Sequence, residues 1–272
     1  MIIYDFFGDN NVLAAFSERS GGVSPLPEKA LNLSFSREPG GNRDNVIRNH
    51  IIAARELGID AGMITRMPQL HGNRILKVDR ETAGCGIMKP FPPGAEKGFD
   101  GMITDVPGVV LSTSHADCTP VMLYDPVKRA IGAVHSGWKG TCLEISLEAV
   151  KRLTEAFGSR PEDIKAIIGP AICVDHFEVR KDVADMFTKT FGDGEGNCPK
   201  ELFRTPRGGE TDPKWHIDMK GFVKLTLTRA GLKEDNIFVS GDCTFGEADR
   251  FFSHRRDGAM SGAMASFICI RG

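Results

Sequence analysis

The chain has 272 residues, 41% of them hydrophobic and 26% charged, with a formal charge of -2 at pH 7. That is an ordinary globular composition with enough chain for a substantial core, and its charge balance leaves no footprint for nucleic acid or an anionic membrane. No run approaches the roughly 18 apolar residues of a membrane span, the start lacks the basic and apolar regions of a secretory signal, and the seven cysteines include no C-x-x-C pair, so a reduced, cytoplasmic protein is expected.

The first forty residues read as strands broken by turns, with Gly21 to Pro25 a loop and Ala30 to Leu33 a return to apolar alternation. Arg37 to Arg43 reads as a surface loop. Asp44 or Asn45 then caps a helix with Val46, Ile51, Ala54 and Leu57 inward, and Gly58 stops it. Short strands are expected at 64–67 and 75–78, and the Gly- and Pro-rich stretch 80–98 is long enough for a flap. Val109 to Leu111, Val121 to Tyr124 and Ala130 to Val134 read as buried strands, the last two joined by a turn at Asp125 and Pro126.

Thr141 to Glu144 has the spacing of a capping box for a helix that ends near Gly158. A buried strand follows at 164–168, then a helix over about 180–191 with Val183, Phe187 and Phe191 on one face. Residues 192–214 read as a polar surface excursion. Asp218 caps a helix with Phe222, Leu225 and Ala230 inward, ending at Gly231. Strands at 237–239 and 264–270 close the chain. The expected fold is α+β, a single domain of layered mixed sheets with outer helices.

His71, Cys118 and His135 each follow a strand-like run and adjoin a turn residue. Two imidazoles and a thiolate, with one position left for water or substrate, make the donor set of a catalytic zinc. The spacings of 47 and 17 residues are not diagnostic. The same Cys118 and His135 also fit a thiol nucleophile and its base. Copper is disfavoured, because no H-x-H pair occurs among the seven histidines. Asp117 and Asp100 are candidates for orienting a ligand or moving a proton. Arg255 and Arg19 are candidate anion contacts, each weighed against a solvated basic group. Lys139 lies in a Gly-bounded turn entering a helix, a place that suits an anion.

Seven segments then add up to a family: R-S-G-G-V-S with A-L-N-L-S, Q-L-H-G, A-D-C-T-P-V-M-L-Y-D-P, A-V-H-S-G-W-K-G-T, I-G-P-A-I and F-F-S-H-R-R-D-G, in that order. The chain resembles the YfiH-like family, also labelled the laccase-domain or polyphenol-oxidoreductase family, from Phe16 to Ile270. The resemblance implies zinc on His71, Cys118 and His135. It implies phosphorolysis of adenosine, inosine and methylthioadenosine, and deamination of adenosine, so nucleoside and phosphate are the expected partners. The candidate substrate contacts are Arg19, Asn49, Asp100, Lys139 and Arg255. The chain departs from the family pattern at His50, His115, His176, His254 and Ala263. A Cys–His amide hydrolase acting on peptidoglycan precursors and a non-catalytic zinc-bound interaction protein are the alternatives. No feature of the sequence sets an oligomeric state.

Overall fold

In a computed structural model, which describes residues 1–25, 29–193, 198–206, 213–258 and 261–272, two mixed sheets stack face to face with helices on their outer sides. The first sheet runs β1 (Ile2–Tyr4), β2 (Val12–Phe16), β15 (Met264–Ile270), β7 (Val110–His115) and β4 (Ile64–Thr65). The second runs β14 (Ile237–Val239), β10 (Lys165–Ile168), β8 (Thr119–Asp125), β9 (Ala130–Ser136), β6 (Gly101–Thr104) and β5 (Ile75–Lys77). A small third sheet joins β11 (Glu178–Val179), β13 (Trp215–Ile217) and β12 (Phe203–Arg204).

Side chains on a strand alternate between faces, and here both faces are buried. Along β8, Met122 and Tyr124 fill the layer between the sheets, while Val121 and Leu123 meet α3 (Ile145–Phe157) and α5 (Met219–Arg229). Along β15, Ile268 and Ile270 enter the middle layer, and Phe267 and Cys269 meet α1 (Arg43–Leu57). The continuous apolar runs of these strands follow from burial on two sides. A separate cluster packs Phe187 and Phe191 of α4 (Lys181–Phe191) on Phe222, with centroids 5.0 and 4.7 Å away.

Several local expectations are corrected. Gly21 to Pro25 is not simply a loop: β3 (Ser20–Ser24) bridges Ala30 from both ends. Asn42 caps α1, accepting from the Asp44 amide at 3.1 Å, in place of Asp44 or Asn45. Ile51 is 41% exposed, because the inward stripe of α1 runs Val46, Asn49, His50, Ala53 and Leu57 and includes two polar residues. The Thr141 capping box does not form. Thr141 lies inside the short α2 (Trp138–Cys142), its hydroxyl bonds Ser136 and the Gly137 carbonyl, and Glu144 sits left-handed between α2 and α3.

Asp218 caps α5 as expected, accepting from the Gly221 amide at 3.0 Å. The stretch 80–98 is partly fastened down, with Ala83, Cys85, Ile87 and Ala95 buried and the Gly84 amide bonded to Thr65. Gly208 and Gly209, in the expected polar excursion, lie outside the described residues. Among the described residues no helix is long and apolar enough to cross a membrane.

Asn49 was a candidate substrate contact and is instead a bolt. It is fully buried, accepts from the Val23 amide at 2.8 Å, and donates to Ser24 Oγ and the Asn32 carbonyl at 3.0 and 2.8 Å. It therefore ties α1 to β3 and to the buried segment 30–33. Asn49→Ala orphans these buried partners and is expected to lower stability by about 2–3 kcal/mol in urea unfolding; an unchanged midpoint would contradict this role.

Candidate metal centre and its cavity

The β8–β9 hairpin builds the centre. Pro120 pairs with His135, so Cys118, just before β8, lies beside the penultimate residue of β9. Gly101 pairs with Val134, which brings Asp100 level with His135, and the His135 amide donates to the Asp100 carbonyl at 2.7 Å. The loop after β4 supplies His71, which adopts a left-handed backbone with φ 58°. One ligand atom from each of His71, Cys118 and His135 lies within 4.8 Å of the others. The spacing that was not diagnostic in sequence becomes a cluster through strand register.

Asp100 holds this arrangement. It is 1% exposed and accepts from the amides of His71 at 2.9 Å, Gly72 at 2.8 Å and Leu70 at 3.1 Å. It also accepts from His135 Nδ1 at 2.9 Å, which leaves Nε2 as the free lone pair of that ring. Burial works against the Asp100 charge, but the hydrogen bond and charge of His135, with the loop amides, hold its carboxyl below the ordinary value. Gln69 bonds both the amide and the carbonyl of Ser114, at 2.8 and 2.9 Å, and so fixes the His71 loop to β7.

The donor set suits a metal ion. Burial pushes the Cys118 thiol up, but the charge of His135 and hydrogen bonds from His135 and His71 bring it down to about 6. Burial alone would lower His135, and the Cys118 thiolate and Asp100 raise it instead. These partners favour the thiolate, the form that metal ligation requires. Gly137 leaves the space: a Cβ there would stand 2.6 Å from His71 Nδ1 and 3.1 Å from Cys118 Sγ. The residues present therefore fit the metal ion that the resemblance implies.

His71, Cys118 and His135 open on a cavity of about 340 Å³. Its wall includes Arg37, Arg43 and Arg66, which the sequence reading left as a surface loop and a strand residue. Arg43 and Arg66 both lie over the Phe35 ring, at 4.3 and 5.4 Å. Burial, then the Arg43 charge, lowers Arg66 to about 10, and its buried Nε has no hydrogen-bond partner among the described residues. Arg66 stands five residues before His71 on the same approach to the site. An arginine inside the apolar run Ile64 to Met67 was the available signal.

The other candidates are placed as follows. Asp117 does not join the ligand cluster; its carboxylate accepts from Thr244 Oγ1 and the Arg255 amide, both at 2.7 Å. Arg255 donates to the His176 and Glu178 carbonyls, Arg19 donates to the Ala248 carbonyl and lies over Phe252, and Lys139 lies over Trp138. None of these three, nor Asn49, lines the cavity. Of the departing positions, His115 and Ala263 do line it. His115 is buried between Thr113 and the Cys118 carbonyl, and burial, then His135, pushes its pKa well down, so it is a neutral wall. His50 stacks on Phe35, and His254 meets Arg37 at 3.2 Å.

Fold and site together define a layered α/β protein with a candidate metal cluster of two histidines and one cysteine on the wall of a cavity that three arginines also line. Residues 13–271 match the family described as "Multi-copper polyphenol oxidoreductase laccase", and the chain belongs to that family. It is 35% identical over 264 residues to "Purine nucleoside phosphorylase YlmD" of Bacillus subtilis, covering 97% of this chain and 90% of that one. It is 30% identical over 223 residues to "Adenosine deaminase RL5" of an unknown prokaryotic organism, covering 82% and 81%. The solved structure of Bacillus licheniformis hypothetical protein YfiH matches with a TM-score of 0.85 at 32% identity, over 96% and 94% of the two chains.

Two measurements test the centre. In metal-stripped protein the Cys118 thiolate persists above pH about 6 and is lost as pH falls through that value. Alkylation mapped to Cys118 should therefore show its midpoint there; a midpoint near about 8.5, the ordinary thiol value, would contradict the pairing. Gly137→Ala places a methyl against two ligands and is expected to weaken metal binding about tenfold or more, read by competition with a chelator. Unaltered affinity would mean that the ion is held elsewhere.

Proposed function

We propose that this chain is a zinc-dependent purine nucleoside enzyme, with phosphorolysis as its principal reaction and adenosine deamination as a second. One observation carries the reading: a two-histidine, one-thiolate centre opens on a cavity whose wall includes Arg37, Arg43 and Arg66. The donor set fits zinc, whereas the sequence has none of the H-x-H pairs expected of a multi-copper oxidase. The names of the relatives as purine nucleoside phosphorylases and an adenosine deaminase support the substrate class.

When bound, zinc supplies a Lewis acid at the mouth of the cavity. The chain supplies the rest. Among the described residues no carboxylate pairs with Arg43 or Arg66, so their charge is available to a phosphate dianion. Phe35, Phe91 and Pro68 give the cavity apolar surface for a flat base. Asp100 fixes the His135 ring and the His71 loop. Asp117, with both oxygens engaged, holds the Cys118 turn against the 240s and 250s segments, so its assigned role is positioning and not proton transfer.

Arg37, Arg43 and Arg66 thus replace Arg19, Lys139 and Arg255 as the anion contacts. Arg66→Gln is expected to raise the KM for phosphate roughly tenfold or more with the thermal midpoint followed alongside; an unchanged KM would remove Arg66 from the phosphate site. Incubated with inosine, the protein should release hypoxanthine only when phosphate is present. Release at the same rate without phosphate would overturn phosphorolysis, and inosine formed from adenosine in phosphate-free buffer would support the second reaction.

A further inference from the structure

A second group of metal-ligating side chains lies apart from the cavity: Cys173, His176 and Cys243. Cys173 and His176 sit in one turn, where the His176 and Phe177 amides both bond the Cys173 carbonyl. Cys243 comes from the loop after β14. The parallel pairing of β10 with β14 carries both chains forward together, and Ala171 bridges Cys243 just beyond it. Residues 67 positions apart therefore meet through topology alone.

His176 Nδ1 faces both sulfurs, 3.1 Å from Cys173 Sγ and 3.4 Å from Cys243 Sγ. One nitrogen has one lone pair or one proton and cannot satisfy two thiols at once. A shared cation can. Zinc bonds of about 2.3 Å to sulfur and about 2.0–2.1 Å to nitrogen put ligand sulfur and nitrogen about 3.6 Å apart in a tetrahedron, so a small outward movement suffices. Cys243 Sγ also accepts from the Cys173 and Gly246 amides, both at 3.4 Å, as an electron-rich sulfur does. The His176 ring is held in place by stacking on Phe245, with centroids 4.4 Å apart.

We propose that Cys173, His176 and Cys243 form a second zinc site, with a structural role. Binding sends the two thiol protons to solvent and uses the Nδ1 lone pair of neutral His176, with no redox change. The neighbouring Asp175 accepts from Arg204 through Oδ1 at 2.5 Å. All three residues are half-buried. The ion would fasten the 170s turn to the 240s loop. Those segments grip Asp117, through the Ile172 amide on its carbonyl and Thr244 on its carboxylate, beside the ligand Cys118.

The test removes the first centre and asks what remains. Full-length Cys118→Ser protein, stripped and dialysed against Co2+ as a spectroscopic stand-in for Zn2+, should retain about one ion per chain with charge-transfer bands of two thiolates. The bands should vanish on adding Cys243→Ser. Chelator should lower the thermal midpoint of the Cys118→Ser protein and leave that of the Cys118→Ser/Cys243→Ser protein unmoved. Metal-free Cys118→Ser protein would overturn the proposal. So would a Cys173–Cys243 disulfide in peptides of freshly made, non-reduced protein.

Discussion

A carboxylate taken out of water must gather donors or lose its charge, and Asp100 gathers them from two directions. Three come from successive amides of the loop at 70–72 and one from the His135 ring. One side chain therefore sets the left-handed turn that presents His71 and the imidazole orientation that presents His135. Cys118 needs no such partner, because the register of β8 on β9 already places it beside His135. The two forms of order meet at one point: strand pairing fixes Cys118 and His135, and a buried charge fixes His71 to them.

The layered fold explains why that point is both rigid and open. β8 and β9 are buried on both faces, between the opposite sheet and the helices α3 and α5, so the hairpin has little freedom. The His71 loop and the segments that carry Arg37, Arg43 and Arg66 lie beyond the strand ends, where the chain can part to form a cavity. Arg43 and Arg66 both lie over the Phe35 ring, and the Arg43 charge adds to burial in lowering the pKa of Arg66. On the function proposed above, a phosphate dianion in the cavity would offset that like-charge contact.

The central hairpin was legible from residue types, because apolar runs bounded by turn residues leave few alternatives to buried strands. His71, Cys118 and His135 were grouped in sequence by their strand-end placement and made the first choice by the resemblance, since spacings of 47 and 17 residues acquire meaning from pairing that no local pattern encodes; the fold does bring the three together. Errors fell where a side chain's partner was distant. Asn49 looked like a polar residue available to a ligand, and it is spent on buried amides and carbonyls of the 20s and 30s. Thr141 looked like a cap, and Ser136 had taken its hydroxyl. Arg37 to Arg43 does lie at the surface as expected, and the sequence did not show that Arg37 and Arg43 also border the cavity. Cys173, His176 and Cys243 gave no signal, since a parallel crossover separates the last from the other two.

The most direct test of the account is phosphate-dependent release of hypoxanthine from inosine, followed in one preparation as purified, after metal removal, and after zinc is restored. The account predicts that release stops on removal and returns with zinc, while protein carrying Cys118→Ala stays inactive throughout. Stripped protein that turns over inosine as fast as loaded protein would contradict it.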